Sequence, residues 1–346
     1  MTEQLENSQL PTEIETKHDA IEWDEEDYIE EGNRFGYIYD VIEDPNQFEL
    51  VDEVLAKPFD EHFTRNIASA AITRSCLAGL SEKQRETVNN HLEGIIPLED
   101  TGLEPLHDCF LVFFGSNHPS RITAQDQIDQ EQALVRKIIQ ETSSRQQSEV
   151  PSPYRMQAVS RETDKQVLSQ AVKLLSSTGW DMDYFMAMLD DQTGIAGVAI
   201  DESSKKPRVV SVVTVEYDPY SFRRGGQDIE LRLHEFSAGV THPSFRGKGI
   251  YTQLSGFMLG QLAQADPDMH LGIGYSNATD EGMLRAAHRI GRSFSIPIAE
   301  KLGFTIRPMM QHFPVDAEYK DDVFTFMAGN EIRRRAQSYS SPSPSK

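Results

Sequence analysis

Residues 240–254, VTHPSFRGKGIYTQL, alternate two cations with two glycines, Arg246-Gly247-Lys248-Gly249, between an apolar β-type run and a helix start. Glycines at such a turn let backbone N–H groups converge on an anion, and the helix dipole adds to the pull. Arg246 and Lys248 supply charge that can reach phosphate oxygens. A basic surface turn leading into a helix would use the same residues. The stretch matches neither GxxxxGK[ST] nor GxGxxG, which counts against a kinase or a dinucleotide enzyme. Eleven residues before Arg246, Glu235 ends an apolar strand face made of Ile229, Leu231 and Leu233. Desolvation there raises a carboxylate's pKa toward the range of a general base. The alternative is a rim carboxylate paired with Arg232 or His234. Cys76 and Cys109, the only cysteines, lie upstream of this region and match no zinc or CxxC spacing, and no metal is expected.

Elements must hold these groups in place. From about 154 to 330, YRMQAV, GVAID, RVVSVVTVEY and IELRLHEFSAGVT read as strands, with two helical stretches between the first and second. A helix over about 249–265, the strand HLGIG, helical residues from about Asp280, the short strand FTIRP (304–308) and the last strand DVFTFMA follow. Ser295 and Pro297 suggest a further helix start. This is one mixed α/β (α+β) domain. Residues 36–145 read as a second mixed α/β domain, of unknown fold. In it SEKQ (81–84) is a capping box opening a helix with Val88, Leu92 and Ile95, CFLVFFG (109–115) is a buried strand, and 124–140 is an amphipathic helix. Residues 146–153 read as a linker, 1–35 as an acidic, loosely ordered segment and 331–346 as a disordered tail. A fragment beginning near Pro151 is expected to fold separately.

VTHPSFRGKGI after a β run, with IAEKLGFTI some fifty residues on, resembles the GNAT superfamily of acyl-CoA-dependent N-acetyltransferases. The family's loop [QR]-x-x-G-x-[GA] is matched at Arg246 and Gly249, and its KLGF segment at Lys301–Phe304. The resemblance covers a little over half the chain. It implies a mostly antiparallel sheet flanked by helices and acetyl-CoA as cosubstrate. The pantetheine arm would pair with the backbone of Gly239, Val240 and Thr241, and the pyrophosphate would sit on the amides of Arg246, Gly247, Lys248, Gly249, Ile250 and Tyr251. Asn277 falls at a family position for a polar cofactor contact, and serves equally as a helix N-cap. Glu235 falls where the histone-acetyltransferase branch carries its catalytic Glu. The implied reaction is direct acetyl transfer to a primary amine in a ternary complex. Two departures stand out. Tyr251 replaces the motif's Gly or Ala, and Ala299 aligns with the family's tyrosine acid. Tyr275, with His288 behind it, is then the nearest candidate acid. Tyr184 and Phe185, with Asp181 and Asp183, fall at the acceptor side.

The whole chain of 346 residues carries a formal charge of −22, with 19 Asp and Glu against three Lys and Arg in its first 60 residues. That charge repels nucleic acid and favours amines or basic peptides as partners. No apolar run is long enough for a membrane helix, and no leader pattern opens the chain, so a cytoplasmic setting is expected without membrane attachment. The oligomeric state is left open. The rival to an enzyme is an acyl-CoA-binding sensor or interaction module, which Ala299 favours as Glu235 favours catalysis.

Overall fold

Period-two runs and well-marked helix caps define most of the elements in the computed structural model, which describes residues 21–24, 33–59, 63, 65–117, 125–142, 154–177, 182–203, 205–307, 309–313 and 318–340. β1 (Ile21–Asp24) and β2 (Asn33–Ile42) lead through a 3-10 turn capped by Asp44 into α1 (Glu49–Leu55). β3 (Arg65–Thr73), buried along its whole length, precedes α2 (Arg74–Gly79) and α3 (Glu82–His91), the latter opened by the Ser81–Gln84 capping box. β4 (Leu92–Pro97), β5 (Cys109–Asn117) and α4 (Gln125–Thr142) complete the N-terminal half. The C-terminal half runs β6 (Tyr154–Val159), α5 (Lys165–Ser176), α6 (Met182–Asp191), β7 (Gly194–Asp201), β8 (Arg208–Tyr217), β9 (Tyr220–Arg224), β10 (Gln227–Leu231), β11 (Leu233–Phe236) and β12 (Gly239–Thr241). It continues with α7 (Ile250–Ala265), β13 (Leu271–Asn277), α8 (Glu281–Arg289), β14 (Ser293–Phe294), α9 (Ser295–Leu302), β15 (Met309–Phe313), β16 (Glu318–Ala328) and α10 (Gly329–Ser340).

Among the described residues the strands form two sheets. One has the order β10-β9-β2-β3-β5-β4, with β1 on β2. The other runs β14-β16-β13-β11-β8-β7-β6, with β12 on β8 and β15 on β16. The expected mixed α/β class is the observed one.

Several local expectations change. Leu92 and Ile95 lie in β4, not in the preceding helix, because Ile95 and Ile96 pair with Val112 and Leu111 of β5. The helical spacing of three apolar residues is outweighed by that pairing. Of FTIRP, residues 304–307 form no strand, and Pro308 lies outside the described residues. Phe304 and Ile306 are buried as irregular chain, and the Arg307 amide donates to the Leu92 carbonyl at 2.6 Å. Ile21–Asp24, within the segment expected to be loosely ordered, pairs antiparallel with β2. α10 occupies part of the expected tail, since Ile332 and Ala336 are buried and Glu331 is bonded to Arg334 and Arg335. Residues 1–20, 25–32, the linker and 341–346 lie outside the described residues.

IELRLHEFSAGVT is not one strand. It breaks at Arg232, and the β9–β10 hairpin leaves to join β2 through Asp40 and Arg223, tied by an Arg223–Asp40 ion pair at 2.6 Å. Arg224 is bonded to Glu43 and Asp108 at 2.8 and 2.6 Å. Behind the hairpin, Ile229, Leu231 and Leu233 share a core with Leu111 and Phe113, and Phe113 stacks on Phe324 at 4.6 Å. A second shared core joins Leu92, Ile95 and Phe114 to Leu284, Ala299 and Phe304. The boundary near the linker divides the sequence but not the packing.

These shared cores lead us to propose, in place of the expected separability, that the two halves unfold as one cooperative unit. Phe113→Ala should cost about 3–5 kcal/mol and lower the stability of both halves in a single transition. A fragment beginning at Pro151 should lack cooperative thermal unfolding. Two independent transitions in the full chain, or a cooperatively folding fragment, would contradict this.

Candidate active site

The site begins where two parallel strands part. β11 pairs with β13 from Leu233–Leu271 to Phe236–Gly274, and with β8 on its other side. At Ser237–Ala238 the chain steps sideways. Thr214 holds the step: its hydroxyl accepts from the Ala238 amide at 2.8 Å and lies 2.9 Å from the Ser237 hydroxyl, while its amide donates to the Ala238 carbonyl. β12 then follows β8 alone, and β13 continues against β16 as far as Asn277–Asp322. Among the described residues, the edge of β12 facing β13 has no strand partner. Such an edge offers N–H and C=O groups to an extended, amide-bearing ligand. That places Gly239, Val240 and Thr241 at the wedge. A Cβ on Gly239 would stand 2.7 Å from the Tyr251 hydroxyl, so glycine here lets the first turn of α7 close on the strand.

At the far end of β12, His242 caps a 3-10 turn over Pro243–Phe245. Gly247 and Gly249 both take φ near +75°, with open space where a side chain would stand. Gly249 is the N-cap of the 16-residue α7, and no side chain caps that helix. The first-turn amides, including those of Ile250 and Tyr251, remain available to an anion, reinforced by the helix dipole. Arg246 is exposed and its Nε donates to the Thr241 carbonyl at 3.2 Å. The Lys248 ammonium rests 4.7 Å from the centre of the Phe245 ring.

α7 covers one sheet face, where Val213, Val215 and Phe236 meet Leu254, Met258 and Leu262. Strand alternation turns Glu235 to the opposite face. There it stands directly across from Glu216, to which the Tyr184 hydroxyl of α6 donates. Asp218 follows, its amide bonded to the Leu233 carbonyl, and burial beside the Glu216 charge pushes its carboxyl up to about 6. Tyr220 meets Tyr37 of β2 edge-on at 5.7 Å. Its hydroxyl pKa is raised, by burial first and then by Asp218, Tyr37, Tyr275 and Glu235, which places those groups within electrostatic reach of one ring. A cavity of about 140 Å³ lined by Glu22, Tyr37, Ser69, Asp218 and Tyr220 opens beside them. Glu235 and Tyr275, both half-buried, thus share one acidic, aromatic neighbourhood. Tyr275 meets Phe324 edge-on at 4.7 Å. Arg232 and His234, the other partners considered for Glu235, are both bonded to Asp266, at 2.9 and 2.8 Å.

Other candidates fall elsewhere. The Asn277 side-chain oxygen accepts from the amide and hydroxyl of Thr279, at 2.9 and 2.6 Å, and the N-cap of α8 is Asp280. Ala299 is fully buried in the core shared with the N-terminal half. His288 is half-buried, with its pKa lowered by burial, and tilts against Phe294. Phe185 is core, whereas Tyr184 is 50 % exposed and reaches the acidic face. Asp181 lies outside the described residues.

Sequence reasoning missed Glu216, Asp218, Tyr220 and Tyr37, because no spacing links β2 to the β8–β9 turn. It also missed Arg292, which is 4 % exposed with its guanidinium 3.9 Å from the centre of the Phe236 ring. Burial lowers the Arg292 pKa, opposed by Tyr251 and Glu235. Among the described residues no three His, Cys, Asp or Glu side chains gather as a metal site, and no helix is long and apolar enough to cross a membrane.

The mixed, mostly antiparallel sheet flanked by helices, with a glycine-rich helix start, agrees with the fold that the GNAT resemblance implies. No family model matches the sequence, and no curated protein matches it significantly. Half of the chain is similar in structure to solved acetyltransferases. NAA60 of Arabidopsis thaliana in complex with acetyl-CoA is 10 % identical, covering 51 % of this chain and 99 % of that one at a TM-score of 0.39. Mutant forms of the spermidine/spermine N-acetyltransferase SpeG of Vibrio cholerae are 12 % identical, covering 53 % and 98 % at 0.37. A chain of the NatC complex bound to Gag peptide and CoA is 10 % identical, covering 50 % and 98 % at 0.37.

The raised Asp218 pKa has a stability consequence. A carboxyl at about 6 in the folded chain and about 3.9 unfolded binds its proton more tightly when folded. Its contribution is complete below pH ~4 and is lost as pH rises through about 6. Asp218→Asn removes the cost of burying the charge. Urea unfolding should find the variant gaining on wild type by about 2 kcal/mol more at pH 8 than at pH 4. An equal difference at both pH values would contradict the assigned burial.

Proposed function

We propose that this protein is an N-acetyltransferase that moves the acetyl group of acetyl-CoA to a primary amine. The observation that carries this reading is the wedge between β12 and β13, flanked by an anion-binding helix start at one end and carboxylates on the opposite sheet face. The cosubstrate's pyrophosphate sits on the amides of Arg246 to Tyr251, with Arg246 and Lys248 adding charge. Its pantetheine arm runs along Gly239, Val240 and Thr241, and Asn277 offers its amide nitrogen at the end of β13. The thioester then lies where the strands part.

The amine approaches from the face of Glu216, Asp218 and Glu235, whose charge attracts an ammonium. Glu235 is the general base. It takes the amine proton as nitrogen attacks the thioester carbonyl, the C–N bond forms, and the C–S bond breaks with its electron pair leaving on sulfur. Tyr275, on the same face, is the candidate proton donor to the leaving thiolate. Transfer is direct, in a ternary complex. Burial pushes the Cys76 and Cys109 thiols up to about 11 and about 12, and both lie in the N-terminal half, which leaves no reactive thiolate for an acyl-cysteine route. Two free thiols accord with a reducing, cytoplasmic setting. One observation favours a second reading, an acyl-CoA-binding sensor without turnover: Ala299, at the family's tyrosine position, is buried in the shared core.

Calorimetry should find CoA affinity at least ten-fold weaker in Gly249→Val, where a branched side chain meets a left-handed backbone and blocks the amides. Unchanged affinity in both this variant and Arg246→Ala would remove the loop from the cofactor site. In an amine-library screen with acetyl-CoA, read by mass spectrometry, an acetylated acceptor should emerge. With that acceptor, Glu235→Gln should lower turnover by about 10²–10⁴-fold while CoA affinity is retained. Tight CoA binding with no amine ever modified would instead support the sensor.

A further inference from the structure

Arg292 follows the C-terminus of α8, and its side chain is almost fully enclosed. The guanidinium packs on Phe236, and Nη1 donates to the Thr325 hydroxyl at 3.3 Å. A Cβ on Gly274 would stand 2.5 Å from Nη1, so glycine at that position clears the space the cation occupies. Phe236 and Gly274 are the last registered pair of β11 and β13, and the charge therefore sits at the throat of the wedge. Nη2 is buried there without a hydrogen-bond partner.

A buried cation with an unmet donor is costly unless something completes its bonding. Apolar packing of the same volume would be cheaper. The titratable groups within electrostatic reach of it are Tyr251 of α7 and, from the opposite sheet face, Glu235 of β11, with His288 of α8 and Arg335 of α10 behind. Neither Tyr251 nor Glu235 is bonded to Nη2, and both border the place where the proposed function puts the thioester.

Resting on the acetyl-CoA reading, we propose that Arg292 is a catalytic residue whose Nη2 donates to the thioester sulfur as the C–S bond breaks. The amine nitrogen attacks the carbonyl carbon, its proton passes to Glu235, and sulfur leaves with the bonding pair as thiolate. Arg292 keeps all its protons and stabilises that anion by charge and hydrogen bonding, so transfer does not need the tyrosine acid replaced by Ala299. A fixed cation in a water-poor throat meets the developing negative charge without having to reorganise.

The test uses the full-length protein with CoA itself, titrating the bound thiol by its thiolate ultraviolet absorbance. A free thiol titrates near 8.5. In the wild-type complex the thiolate-to-thiol ratio at a given pH should be at least ten-fold higher than for free CoA. Arg292→Lys should keep most of that shift, and Arg292→Gln should lose it while binding CoA within about three-fold. Turnover should fall by about 10²–10³-fold in Arg292→Gln and by less in Arg292→Lys. An unshifted thiol in wild type, or an equal shift in Arg292→Gln, overturns the proposal. Should the Gln variant fail to fold, the wild-type and Lys titrations decide alone. CoA binding with an unshifted thiol overturns only the role of Arg292, whereas no CoA binding by wild type overturns the acetyl-CoA reading together with it.

Discussion

The sideways step at Ser237–Ala238 is the constraint on which the site depends. Thr214 satisfies the backbone of the step from both sides, so β11 can belong to β13 while β12, three residues later, belongs only to β8. A continuous strand would have closed the sheet by hydrogen bonding β12 to β13. Opening it leaves a row of main-chain groups facing a wedge, and unmet main-chain groups in a partly buried site call for a ligand with amides of its own. The glycine turn and α7 follow directly from the end of β12, which fixes the distance between strand edge and helix start.

The two faces of the sheet carry opposite chemistry. At the α7 side, cationic Arg246, Lys248 and Arg292 surround an open helix start and the throat. On the other face, Glu216, Asp218 and Glu235 gather beside tyrosines. A chain with net charge −22 thus concentrates positive charge around the glycine turn and the throat, and carboxylates on the opposite face. The wedge is the place where the two faces communicate.

The N-terminal half is part of this arrangement. By recruiting the β9–β10 hairpin into its own sheet, it carries Tyr220 to Tyr37 and closes the acidic face with residues from both halves. Burial, reinforced by the Glu216 charge, raises the Asp218 pKa beside that second sheet, and Ala299 lies in another core that the two halves share. Packing of the two halves and chemistry of the site are thus the same set of contacts seen from two sides.

Much of this was legible in the chain alone. Glycine at 247 and 249 suits the left-handed backbone found before a helix, and the Ser81–Gln84 box marks a helix start, because both depend on backbone geometry within a few residues. Local pattern fails where long-range pairing competes with it. β5 pulls Leu92 and Ile95 out of a helical register, α7 orders the low-complexity segment of α10 by burying Ile332, and Arg232 breaks one apparent strand between two sheets. Arg292 reads in sequence as an ordinary cation at a helix C-terminus. Only the tertiary structure lays it over Phe236 and Gly274 at the throat, and only there do Asp218, Tyr37 and Tyr220 become neighbours of Glu235. Residue type and local spacing determined the glycine turn before α7 and singled out Glu235 as a candidate base. Their surroundings were decided by contacts between distant segments, such as Asp40 and Arg223, 183 residues apart, whose cost and reward are set by packing and burial, which no local pattern encodes.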